Sequence, residues 1–122
     1  MSKVMIYAAT YENVYRAVEE VFELFPLELQ GKKVFVKPNV LRASEAKEGF
    51  ITHPEVLRAV VEKVKTTEAG SIVVSDNPGL FGYEENEESF KMIGLMEAAR
   101  AIIRTSDIIH NRLISIPILF PR

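Results

Sequence analysis

The sequence predicts an α/β fold: a three-layer sandwich with a mostly parallel sheet and a Rossmann-like βαβαβα order. Three observations carry this. Short runs rich in Val and Ile alternate with longer stretches of helical period. The run at 34–36 is apolar on both faces, as a buried parallel strand should be, and 71–76 reads as a second buried strand. Each of these two runs ends abruptly in polar and turn-forming residues. Strands alternating with helices imply parallel pairing, with helices on the sheet faces.

Taken in order, "KVMIYAA" (3–9) has the composition of a first strand. In 11–25, Val14, Val18, Val21, Phe22 and Phe25 recur at helical spacing, and Pro26 closes that helix. Gly31-Lys32-Lys33 reads as a turn into the strand "VFV" (34–36). Residues 41–51 show no period and contain Gly49, so they read as a loop. Thr52 has Glu55 three residues on, the spacing of a capping box, and Pro54 falls in the first turn. That helix continues through Leu57, Val60, Val61 and Val64 to a turn at Gly70. A second strand spans 71–76 and a loop spans 77–83. A helix is expected over 84–100, its acidic start suited to a helix N-terminus. The tail, 106–120, reads as one or two strands, and Pro117 confines the last of them to an edge or a bulge.

Size and composition bound the function. At 122 residues the chain suits one compact domain, and 48% hydrophobic residues supply a core. A net charge of −2 argues against nucleic-acid binding by bulk charge. No apolar run reaches a membrane span, and the N-terminus lacks signal-peptide architecture, so a cytoplasmic location is expected. With no cysteine, the chain offers no disulfide, no thiolate for zinc or an iron–sulfur cluster, and no cysteine nucleophile. Composition changes near residue 101. Residues 102–122 hold no lysine, a single acid (Asp107), three arginines and seven of the eleven isoleucines. The expected organisation is an α/β domain over 1–101 followed by an atypical apolar tail over 102–122.

In open α/β sheets ligands bind beyond the carboxyl ends of the strands. Here those ends carry Lys37 and Asn39, then Asp76, Asn77 and Gly79, while the helix start at Thr52 and His53 faces the same edge. Lysine supplies a point charge, and a helix start supplies N–H groups and a positive dipole end. The expected ligand is therefore a small anion, with Gly79 and Gly82 letting backbone approach it. Asp76 can bind a cation, pair with Lys37 or take a proton, and His53 can act as acid, base or donor. Each residue also has a plainer reading. Lys37 and Asp76 can form a structural ion pair, Thr52 is first a helix cap, His53 can be an ordinary first-turn residue, and Asn77-Pro78-Gly79 is good turn chemistry. The glutamates at 84, 85, 87 and 88 read as a solvated helix start, and His110 has no partner at metal-ligand spacing. There is no Gly-x-Gly-x-x-Gly, no Walker-type Gly-Lys-Ser/Thr and no Gly-x-Ser-x-Gly, so a standard dinucleotide, nucleoside-triphosphate or serine-hydrolase site is unsupported.

Three ordered motifs, "VFVKPNV", "GFITHPEVLRAVVE" and "SIVVSDNPG", resemble the domain of unknown function 362 family. Lys37-Pro38-Asn39, Thr52-His53-Pro54 and residues 75–79 stand where that family shows Lys-Pro-Asn, Thr-x-Pro and Gly-Asp-Ser-Pro-Gly. Ser75 replaces the glycine and Asn77 the serine, which removes support for a serine-dependent role. The resemblance implies an α/β fold and an association with ferredoxin-type iron–sulfur modules. Those modules would have to lie elsewhere, so no cofactor is expected on this chain. The tail lacks the lysines and histidine of the family's later Pro-Lys-Leu-Lys-Thr-His-like motif, which raises the expectation of a truncated or frame-shifted member. Two functions compete at this stage. One is binding of a small anion, with the resemblance implying a place in a redox system, in which Lys37 holds the anion, Thr52 and His53 present the helix start, and Asp76 serves as base or cation ligand. The other is a non-catalytic homo-oligomer assembled through the tail.

Overall fold

The structure, a computed structural model, describes residues 2–40, 49, 51–74, 76, 94, 97–98 and 116–119. Its elements run α1 (Val14–Leu24), β1 (Lys33–Val36), α2 (Pro54–Thr66), β2 (Ser71–Val74) and β3 (Ile116–Leu119). The chain is α/β. The sheet order is β1-β2-β3. β1 and β2 are parallel, with Val34 beside Ile72 and Val36 beside Val74. β3 runs antiparallel to β2, with Pro117 opposite Val73.

α2 is the organising helix. Leu57, Val61 and Val64 recur on one face at helical spacing and are buried, as are Ile72 and Val74 of β2. Val40, Ile51 and Ala69 complete this core, and Phe22 of α1, Val34 and Val36 pack at its margin. Each fully buried Leu, Ile or Val contributes about 1.5–3 kcal/mol. Glu55 in the first turn and Lys63 and Lys65 in the last complement the helix dipole. α1 lies against α2. It ends at Leu24 because Phe25 precedes Pro26 and is forced out of helical geometry, at φ −125° and ψ 72°.

At the amino end of the strands two turns cross. Gly31 N–H donates to Glu68 O and Gly70 N–H to Lys32 O, both at 2.9 Å. Gly31 and Glu68 take positive φ, 68° and 56°.

Several expectations need correction. Residues 3–9 form no strand: among the described residues no strand lies beside them, and Val4 and Ile6 are 81% and 95% exposed. Among the described residues the order is therefore αβαββ, and the sheet has one parallel and one antiparallel pair. β1 is not covered on both faces. Val34 and Val36 turn toward α2, whereas Phe35 points the other way and is 56% exposed. The helix expected over 11–25 begins at Val14. Within the expected tail strand, Ile116–Leu119 pairs with β2 of its own chain. Among the described residues β3 lies at the sheet edge, where Pro117, lacking an N–H, is tolerated. The expected 77–83 loop lies outside the described residues, as does most of the 84–100 helix. Of that helix, Ala98 is buried and its N–H donates to Gly94 O at 2.9 Å.

Candidate functional site at the carboxyl edge of the sheet

β1 leads directly into Lys37, and β2 leads to Asp76 two residues past its end. Parallel pairing in register brings these ends side by side. Lys37 Nζ lies 2.5 Å from Asp76 Oδ1. The contact is an ion pair by distance, since Oδ1 has no partner at hydrogen-bond geometry. The two side chains differ sharply in exposure, 60% for Lys37 and 3% for Asp76. The other carboxylate oxygen, Oδ2, accepts the backbone N–H of Val40 at 2.7 Å. Of the three roles open to Asp76, the structure shows pairing with Lys37. A carboxylate engaged on both oxygens is placed to position its neighbours.

The chain leaving β1 is pinned where the long loop begins and ends. Asn39 N–H donates to Thr52 Oγ1 at 2.8 Å, and Thr52 N–H donates back to Asn39 O at 2.9 Å. Val40 and Ile51 form an antiparallel bridge inside this pair. Both are buried in the core. The two feet of the loop are thus closed together, and Asp76 clamps one of them from β2.

The expected cap is displaced by one residue. Thr52 Oγ1 is committed to Asn39, so His53 caps α2, its Nδ1 accepting the Glu55 N–H at 3.2 Å. In neutral imidazole this places the proton on Nε2. The same ring stacks on Tyr11, with centroids 3.6 Å apart and planes 11° from parallel. A histidine with an aromatic partner can therefore fill the cap position that Ser, Thr, Asp or Asn usually takes. The cap leaves little for a ligand at the helix start. Pro54 has no N–H, Glu55 N–H is taken by His53, and Val56 and Leu57 N–H both go to His53 O at 3.0 and 3.2 Å. The free N–H groups expected there are already satisfied.

The structure thus brings Lys37 to Asp76, Asn39 to Thr52, and His53 to the adjoining helix start. Asn77 and Gly79 lie outside the described residues. Two residues escaped the sequence reading: Val40, whose N–H links the loop to Asp76, and Tyr11, which holds His53. A backbone N–H leaves no mark in a sequence. Tyr11 was hidden in a stretch read only for helical period.

The family model described as "Domain of unknown function (DUF362)" matches residues 34–120. The chain belongs to the DUF362 family. The matched region begins in β1 and takes in α2, β2 and β3, so it contains every described site residue except Tyr11. No curated protein and no solved structure matches the chain. Among the described residues, this DUF362 member has no group of three or more His, Cys, Asp or Glu able to hold a metal ion. No helix among them is long and apolar enough to cross a membrane.

Proposed function

We propose that this protein binds a small anion, a carboxylate or phosphate, at the carboxyl edge of its sheet, with Lys37 as the charged contact. One observation carries the reading: Lys37 is held by a buried carboxylate yet stays 60% exposed. An ammonium has three donors. Asp76 draws on one side of it and fixes its position at the end of β1, and the exposed remainder is left for a ligand. His53, half-buried at the same edge with Nδ1 accepting from Glu55 N–H, offers Nε2–H as a donor. Thr52 and Asn39 hold the loop that borders this ground, and Asp76 acts as a positioning residue.

The arrangement also limits the affinity. A ligand meets a neutral pair rather than an isolated cation, so binding is modest and weakens with salt. A place in a redox system is compatible with the family's association with iron–sulfur modules. The cluster would belong to a partner, because this chain has no cysteine to hold one.

Calorimetric titration of inorganic phosphate, citrate and acetate into the wild-type protein and Lys37→Ala tests the reading. Saturable binding to wild type that falls about tenfold or more in the variant, equivalent to about 1.4 kcal/mol, is expected. Equal binding to both proteins, or none to wild type, removes it.

A further inference from the structure

Among the described residues there is a strand edge with no neighbour and, separately, an extended apolar segment with no strand beside it. Every residue of β1 is more exposed than its registered neighbour in β2: Lys33 than Ser71, Val34 than Ile72, Phe35 than Val73, Val36 than Val74. Val34 and Val36 share the α2-facing side with Ile72 and Val74, so the difference comes from the flank of β1 away from β2. Among the described residues no strand lies on that flank. An unpaired edge with a large exposed apolar residue is a template for another strand.

Residues 3–9 have the makings of that strand. Burial alternates along them, with Val4 and Ile6 exposed and Met5 and Tyr7 half-buried, the two-residue period of an extended chain. Their root is tied by local bonds to the start of α1. Thr10 N–H donates to Asn13 Oδ1 at 2.7 Å, and Ala9 N–H turns back onto Tyr7 O at 3.0 Å.

We propose that two copies of this chain associate by exchanging these segments, residues 3–9 of each adding antiparallel to the outer edge of β1 in the other. Charge decides against the same segment docking on its own β1. The Tyr11–His53 stack fixes the segment's root near the Val36 end of β1, because Thr52, next to His53, bonds Asn39 three residues past Val36. Docking within one chain would therefore run parallel and carry Lys3 to the end of β1 that holds Lys32 and Lys33, where like charges oppose pairing. An antiparallel strand from a second copy carries Lys3 to the opposite end, beside a Lys37 already neutralised by Asp76. The exchange is reciprocal, so it closes as a two-fold dimer and leaves neither edge open.

The absence of native cysteine permits a direct test. Chains carrying only Ile6→Cys are mixed with chains carrying only Phe35→Cys and oxidised, and wild-type mass is measured by light scattering. Wild type at twice the chain mass, a disulfide between the two singly substituted chains, and Ile6→Lys at the single-chain mass with an unchanged circular dichroism spectrum are expected. Wild type at the single-chain mass overturns the proposal, whether or not hydrogen exchange shows β1 amides protected by docking within the chain. So does a dimer that Ile6→Lys leaves intact.

Discussion

Asp76 Oδ2 accepts the backbone N–H of Val40 at 2.7 Å, and both residues are buried. This bond ties the end of β2 to the first foot of the long loop across 36 residues of chain. It is a charge-assisted bond in a dry setting, and its loss leaves a buried N–H unpaired. Asp76→Ala is therefore expected to cost roughly 2–4 kcal/mol in chemical denaturation. Asp76→Asn keeps the shape and an acceptor and should cost clearly less. Lys37→Ala should cost about 1–2 kcal/mol, because the exposed side of the pair lets water replace the ammonium. If Lys37→Ala proves more damaging than Asp76→Ala, the clamp has been assigned to the wrong bond.

His53 does two things with one ring, and substitutions separate them. His53→Ala removes the cap, at about 1 kcal/mol, and the Tyr11 stack, at about 0.5–1.5 kcal/mol. His53→Asn restores a capping oxygen without the stack. Tyr11→Ala removes the stack without the cap. Thermal melts should rank wild type above His53→Asn and Tyr11→Ala, with His53→Ala lowest. An Asn variant as unstable as the Ala variant would show that the ring does not cap.

The pattern of apolar residues made α1, β1, α2 and β2 readable, since Leu57, Val61 and Val64 repeat on one face whatever surrounds them. It overreached at residues 3–9 and at Phe35. Strand composition shows that a segment suits a sheet but not which neighbour it finds, and burial on both faces depends on layers far away in the chain. At the site, the meeting of Lys37 and Asp76 followed from two parallel strands ending together. The cap did not. Thr52 was the better capping residue by type, and only the fold brings Asn39 N–H close enough to claim its hydroxyl.

Tyr15 gives a pH signature. Burial against the helices pushes its phenol above the ordinary tyrosine value, and Glu62 and Glu55 push further in the same direction against a smaller opposing effect of Arg58. A group whose value rises on folding stabilises the fold fully below the unfolded value, about 10. That contribution is lost as pH rises through the folded value. Stability of the wild type should therefore fall more steeply above about pH 10 than that of Tyr15→Phe, which has no phenol to ionise. Parallel curves for the two proteins in alkaline denaturation would refute the assignment.

The turn crossing at the amino edge makes a prediction about backbone alone. A Cβ built on Gly70 would lie 2.5 Å from Gly31 O and 2.9 Å from its carbonyl carbon. Both are main-chain atoms held by the Gly31–Glu68 and Gly70–Lys32 bonds, so neither can swing aside. Gly70→Ala should cost about 1–3 kcal/mol by overpacking. Gly31→Ala meets open space but keeps a φ of +68°, so its cost is conformational, about 1–2 kcal/mol. The two differ in what rescues them. Gly31→Asn should recover much of the loss, because asparagine tolerates the left-handed region, whereas Gly70→Asn should be at least as damaging as Gly70→Ala. Urea denaturation of the four variants checks this, and a Gly70→Ala protein as stable as wild type would mean that the two turns do not approach as closely as described.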